Sequence, residues 1–387
     1  MRVAVVTQFP SDPNAPHGGV ETVSVNLVRA LAEFDDLELH VVTIDPACSE
    51  TNRSVLGKIN MHRLPQLGRT MLGGATGPDR AQISQYVQRL APDVVHAHDT
   101  YGIMVKGLPI PRVFTIHGFI YGDTLVSGQR WPWLRSRIWR WVETSAWADQ
   151  PHIISISPYV RERLAGIASG VIHDIDNAVG ERFFEIPRCE RRGVIFSAAL
   201  ICPRKNTLVL VEAFSRLVAA GVDAELRLAG KITHPEYGAA VQEKIRALGL
   251  ADRVSLLGSL GVEQVSQELA QASVFALVSL EENSPMGIEE AMAAGISVVA
   301  SNRCGMPYMV RHGESGFLVD PNDPDDIACR LGQLLRDDGL RSAMEACSRR
   351  IALDRFHPAA VARRTREVYL DAAGKRTNLA RLSQPRG

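Results

Sequence analysis

Short apolar runs, each followed by a longer stretch with helical spacing, recur along this chain in two successive sets. In the first set, residues 3–7, 37–43, 93–98, 112–117 and 152–157 have the apolar, β-branched composition of buried strands. Between the first two of these runs, Val20, Val23, Leu27, Ala30 and Leu31 recur at helical spacing. The pattern restarts near residue 193: residues 193–197, 224–229, 254–257, 274–278 and 296–300 read as strands, 208–219 and 239–248 as helices. Strands that are apolar throughout belong to sheets covered on both faces. The expectation is therefore an α/β chain with two doubly wound, parallel-sheet, Rossmann-like domains facing across a cleft. A chain of 387 residues is also too long for one ordinary core. The boundaries read as 1–185 for the first domain, a Pro-, Arg- and Glu-rich linker at 183–192, 192–370 for the second, and a tail at 371–387. In such sheets ligands bind beyond the carboxyl ends of the strands, which directs attention to the cleft.

Charge composition narrows the class of partner. Lys plus Arg number 43 and Asp plus Glu 43, so no global field favours nucleic acid, and no nucleic-acid partner is expected. The six cysteines show no C-x-x-C pair or metal-ligand spacing, which suits reduced thiols in a cytoplasmic protein. The amino terminus enters a strand pattern at Val3 rather than a leader, and no apolar run is long enough to span a bilayer. Cytoplasmic placement follows as the expectation.

The stretch 278–295 carries the most chemistry. A strand ends at Val278, and Ser284 followed by Pro285 reads as a helix start, with Ser as N-cap and Pro at the first helical position. Glu282 then lies in the loop before the helix and Glu290 about two turns in. Between them are the free N–H groups of the first turn, at the positive end of the helix dipole. An anion held there, with a carboxylate on either side to accept hydroxyl hydrogen bonds, suits a sugar, a diphosphate and a ribose in series.

These residues resemble the retaining glycosyltransferases called family 4, whose signature is Glu, seven residues, then a second Glu before an Ala-Met-Ala-x-Gly segment. Glu282, Glu290 and Ala291-Met-Ala-Ala-Gly295 match it. The resemblance implies a two-domain GT-B fold. It also implies a nucleoside diphosphate sugar as co-substrate, a UDP-sugar in the first instance, with no other cofactor and no metal. The acceptor would be a hydroxyl on a glycan or lipid-linked intermediate of polysaccharide biosynthesis, glycosylated with retention of configuration. By the same resemblance Glu282 contacts the donor sugar and Glu290 the ribose, while Asn283, Ser284, Pro285 and Met286 form the donor-facing segment between them. Lys205, in Pro203-Arg-Lys-Asn206, is at the lysine position that meets the diphosphate. Gly18 and Gly19, in Pro16-His-Gly-Gly-Val-Glu21, correspond to the loop that closes over the donor. His117, in Thr115-Ile-His-Gly118, corresponds to the histidine near the reaction centre. This chain departs from the pattern at two places. Ser284-Pro285 replaces an aromatic-Gly pair, and Ala199 or Leu200 stands where the family has a second cation, which leaves Arg204 as its substitute.

Blander readings stand beside these. Two glutamates eight apart are by themselves usually a solvated helix face, a Gly-Gly before a helix is usually a turn, and a lone strand-end histidine is usually packed. Of His96 and His98 the default reading is packing near the cleft. Asp174-Ile-Asp176 has the spacing of a metal-binding D-x-D but reads as turn chemistry, and Gly313-Glu-Ser-Gly-Phe-Leu-Val319 as a structural turn. All five tryptophans fall within 130–147, interleaved with Arg130, Arg135, Arg137 and Arg140. That mixture suits either a helix packing its Trp face on the first sheet or peripheral contact with the inner face of a membrane. Two rival functions share the architecture: a sugar-nucleotide epimerase, and a non-catalytic sugar-nucleotide-binding protein.

Overall fold

The computed structural model describes residues 1–16, 18–126 and 131–375. Arg130 and the tail from residue 376 onward lie outside the described residues. The first sheet has eight strands: β1 (Arg2–Val6), β2 (Glu38–Asp45), β3 (Asn52–Leu56), β4 (Ile59–Pro65), β5 (Val94–His98), β6 (Arg112–Ile116), β7 (His152–Ser155) and β8 (Val171–Asp174). Their order is β3-β4-β2-β1-β5-β6-β7-β8, parallel except for the β3–β4 edge hairpin. The second sheet is wholly parallel: β9 (Val194–Ala198), β10 (Glu225–Ala229), β11 (Val254–Gly258), β12 (Val274–Leu277), β13 (Ser297–Ser301) and β14 (Gly316–Val319), in the order β11-β10-β9-β12-β13-β14. Strand order reverses between β1 and β5 and between β9 and β12, the switch points where doubly wound sheets open a crevice. The loops carrying Gly18, Lys205 and Glu282 follow β1, β9 and β12.

Four strands, β3, β4, β8 and β14, lie outside the apolar runs that mark the others. β3 is almost wholly exposed and polar, so it has no buried-strand composition. β14 falls inside the segment 313–319 read as a turn; only four of its residues enter the sheet, beside β13.

The second domain does not end near residue 370. The chain leaves it at Phe356, whose carbonyl accepts the Val179 N–H at 3.0 Å, and returns to the first domain as the helix Pro358–Ala372. That helix packs on Gly19–Leu31, and Val361, Ala362, Val368 and Tyr369 join the core of Val3, Val5, Val28 and Leu31. Residues 371–375, read as tail, finish this helix and end with Lys375 paired to Asp93. Sequence periodicity shows that a helix has an apolar face and not which sheet covers it. Tyr369 is fully buried, and its hydroxyl meets His96 Nδ1 at 2.7 Å. Tyr369→Phe leaves that buried nitrogen without its partner, so it is expected to lower stability by about 1–2 kcal/mol in denaturant titration.

Candidate functional site

Three loops converge where the two sheets face each other. After β9 the chain makes a single 3₁₀ turn, Pro203–Lys205, and Asn206 takes a left-handed conformation (φ 58°) that Asn tolerates better than most residues. The Asn206 amide donates to the carbonyls of Val278 (3.2 Å) and Pro321 (2.6 Å), and Leu280 N–H donates to the Arg204 carbonyl at 2.8 Å. The basic turn is thereby laced to the loop that follows β12. Both cations reach one carboxylate: Lys205 Nζ pairs with Glu282, and Arg204 Nη1 lies 3.2 Å from Glu282 Oε1 while donating to the Glu281 carbonyl at 2.8 Å. Ala199 and Leu200 carry no charge, so Arg204 is the second cation here.

The helix after Glu282 runs over Met286–Ala293, with Pro285 as its uncapped N-cap residue. Ser284 is therefore not the N-cap, nor Pro285 the first helical residue. The Ser284 hydroxyl instead donates to the carboxyl of Glu289 at 2.6 Å, while the Pro285 carbonyl accepts from Ile288 and Glu289. The N–H groups of Met286 and Gly287 precede the first intrahelical bond and stay available for a ligand. Glu289 is fully buried, and burial holds its pKa well above the usual range. Glu290, on the next position and half-buried, is pushed up to about 8 by burial. Gly305 braces this loop from behind: its N–H donates to the Glu282 carbonyl at 2.8 Å, and a Cβ there would stand 1.8 Å from the Asn283 carbonyl oxygen.

Asn283 joins the domains. Its side-chain amide donates to the His117 carbonyl at 2.9 Å, and its own carbonyl accepts from Ser157 Oγ at 2.9 Å. The side chain assigned to the donor-facing segment is thus engaged across the cleft. His117 follows β6, and its ring Nε2 lies 3.0 Å from His98 Nδ1. Burial lowers the pKa of His117, against the opposing pull of Asp99 and Asn177; it lowers His98 further and His96 to about 3. The three imidazoles are neutral at physiological pH, and His96 and His98 are fully buried. Asp174 and Asp176 are both held by arginines, Arg161 and Arg355, so the D-x-D spacing marks two ion pairs.

Several groups at the site have no signature in the sequence. Asp99, at φ 45°, accepts the N–H groups of His117 (2.7 Å) and Gly118 (3.3 Å) and so sets the loop that carries the histidine. Glu143, pushed up to about 7 by burial, accepts from Ile120 (3.0 Å) and Tyr121 (2.9 Å) at the start of the next helix. Asp123 lies near Arg204, and burial raises its pKa against that neighbour. A cavity of about 600 Å³ opens beyond β1, β2, β4 and β5, lined among others by Phe9, Asp12, Glu21, Asp45, Tyr101 and Met104.

Gly18 and Gly19 sit at the start of the helix Gly19–Leu31. Gly18 has φ −161°, open to any residue, and a Cβ on either glycine would meet nothing within 4 Å. The fold therefore does not call for glycine at either position. Gly19→Ala is expected to leave the unliganded protein as stable, or more stable by up to about 1 kcal/mol. A ligand whose phosphate approached the Gly19 N–H would bind the variant about tenfold or more weakly, a pair of opposite signs that melting and titration would separate.

Two facing doubly wound sheets, with a basic turn and a helix start at the switch point of the second, define the class of two-domain nucleotide-dependent α/β enzymes. Residues 17–180 match the model described as Glycosyltransferase Family 4 and residues 180–350 that of Glycosyl transferases group 1. The chain belongs to these glycosyltransferases, with the GT-B fold. It is similar to the MMP alpha-(1->4)-mannosyltransferase of Mycolicibacterium hassiacum, at 28% identity over 73% of this chain and 71% of the relative. It is also similar to the D-inositol 3-phosphate glycosyltransferase of Corynebacterium diphtheriae, at 35% over 44% of this chain and 40% of the relative. Two further curated relatives are matched over 42% and 23% of their own length. Among solved structures, sucrose-phosphate synthase from Thermosynechococcus elongatus superposes with TM-score 0.79 at 19% identity, covering 96% of this chain and 98% of that one. Anabaena HepE in complex with UDP and glucose superposes with TM-score 0.73 at 18% identity, covering 96% and 100%.

Proposed function

We propose that the protein moves a sugar from a nucleoside diphosphate donor, a UDP-sugar in the first instance, to a hydroxyl acceptor with retention of configuration. The observation that carries this reading is the convergence of Lys205 and Arg204 on Glu282 beside the open first turn of the helix Met286–Ala293. Without a donor, the two cations hold the carboxylate. An arriving diphosphate competes for them, and Glu282 is released to accept a sugar hydroxyl. Lys205, Arg204, the Met286 and Gly287 N–H groups and the Gly18-Gly19 backbone then offset the charge that develops on the leaving diphosphate. These two cations take the part a divalent ion plays elsewhere, so the reaction is metal-independent in this reading. Neutral His117 faces the sugar from the first domain, and Glu290 accepts from the ribose. The leaving phosphate itself helps deprotonate the acceptor hydroxyl on the same face. The acceptor, a glycan or lipid-linked intermediate, enters through the 600 Å³ cavity beyond β1 and β5. The enzyme works in the cytoplasm, in peripheral contact with the inner face of a membrane through 130–147. HepE, solved with UDP and with UDP-glucose, supports the choice of nucleotide.

Thermal unfolding against UDP-, GDP-, ADP- and dTDP-sugars tests the donor site. A donor at about a hundred times its Kd stabilises by about 2.7 kcal/mol. One nucleotide class is expected to shift the wild type, with the shift lost in Lys205→Ala. No shift with any donor would remove the transferase reading. Conversion of the donor without any acceptor would favour the epimerase.

A further inference from the structure

The helix Pro132–Trp147 divides its tryptophans between two sides. Trp139 and Trp147 are buried, with Val142 and Ala146, against the first sheet's core. Trp131, Trp133 and Trp141 stand 55%, 56% and 73% exposed, with Leu134 and Ile138 between them and Leu125 nearby on the preceding helix. Among the described residues, six of the fifteen exposed large hydrophobic side chains fall between Leu125 and Trp141, so the patch is concentrated rather than scattered. Arg135, Arg137 and Arg140 are exposed on the same helix, and none is paired with a carboxylate among the described residues. The sequence holds no Asp or Glu from 127 to 142. Trp and Arg are enriched at protein interfaces too, but a protein surface does not set a continuous layer of anionic phosphate against three exposed indoles and three unpaired arginines. A bilayer interface does: indole rings settle at the headgroup level while guanidinium groups reach anionic phosphates.

We infer that this face is a docking surface for a bilayer bearing anionic phospholipids, with the helix lying in the interface plane. The inference deepens the peripheral-contact reading and does not depend on sugar transfer, because none of these side chains touches Glu282, Lys205 or His117. The docked helix is tied to the reaction centre all the same. Glu143, on its buried side, caps the segment Ile120–Val126 that follows the His117 loop.

The test is flotation of the purified full chain with vesicles of phosphatidylcholine alone and of phosphatidylcholine with phosphatidylglycerol. The wild type is expected to float with the anionic vesicles and to be released by high salt. Trp133→Ser with Trp141→Ser lowers partitioning by about tenfold or more, and Arg135→Glu, Arg137→Glu and Arg140→Glu together by about a hundredfold. The donor-induced melting shift stays as in the wild type in both variants, which separates failure here from failure of the donor site. All five tryptophans lie within 131–147, so intrinsic fluorescence reports on this segment in the unaltered protein. Brominated phosphatidylcholine in the anionic vesicles is expected to quench it. Absence of flotation and quenching would overturn the inference, as would flotation that neither variant reduces. It would also fall if the face is covered by a second copy, shown by a dimer that Trp133→Ser with Trp141→Ser converts to monomer.

Discussion

Lys205→Ala is expected to lower kcat/KM for sugar transfer by about 10²–10³-fold, the usual loss on removing one charge-stabilising group from a transition state. The loss should appear in KM as well as kcat, because Lys205 meets the diphosphate of the bound donor and meets a larger charge as the glycosidic bond breaks. The fold should survive. Glu282 keeps Arg204 at 3.2 Å, so the substitution does not strand a buried carboxylate, and Asn206 still ties the basic turn to Val278 and Pro321. Arg204→Ala separates the two cations: if both contribute, each single variant is impaired, and the double variant falls to the level of donor hydrolysis. Full activity in Lys205→Ala, measured by product formation at saturating donor, would move the leaving-group role to Arg204 alone.

What could be read from the sequence was whatever rests on local pattern. Apolar runs announced β1, β5, β6, β9 and β12 because a strand buried on both faces has no polar alternation to hide it. The pair Glu282 and Glu290 and the turn at Lys205 could be singled out because they match family motifs, Glu282 and Lys205 in loops that follow strands and Glu290 on the helix beyond. What could not be read depends on which surfaces meet. Tyr369 and His96 are 273 residues apart, and nothing in either neighbourhood points to the other. Asp99, Glu143 and Glu289 look like ordinary surface carboxylates in sequence, where a charged side chain is solvated by default. Glu143 and Glu289 are buried and Asp99 half-buried, and each accepts from backbone N–H groups or a hydroxyl that no spacing rule identifies. Ser284 shows the same competition locally: a Ser-Pro pair favours capping, yet the buried Glu289 one turn on offers the hydroxyl a better acceptor. The Trp-rich helix allowed two readings because tryptophans at 131, 133, 139, 141 and 147 populate both its faces, and only packing shows which face is covered.

Glu290 gives the donor site a pH dependence whose direction follows from its burial. Its pKa in the folded protein is about 8, against an ordinary 4.5, because burial penalises the charged form. The stability it contributes is fully present below about pH 4.5 and is lost as pH rises through about 8. Glu143, at about 7, loses its share earlier in the same direction. The unliganded protein should therefore melt lower as pH rises from about 5 to about 8.5, by several degrees, and Glu290→Gln should flatten part of that fall. Donor binding runs the opposite way. Ribose hydroxyls donate to a carboxylate and not to a protonated acid's O–H, so the complex holds Glu290 ionised and lowers its pKa. Affinity should then rise with pH toward about 8, by up to about tenfold per unit over the interval between the pKa of the complex and that of the free protein. Calorimetric titration of UDP into wild type and Glu290→Gln isolates this contribution, since titration of the nucleotide's own phosphate is common to both. A wild-type profile that runs parallel to the variant's across this range would mean that the ribose does not rest on Glu290. The hydroxyl contact would then have to be sought elsewhere along the helix Met286–Ala293.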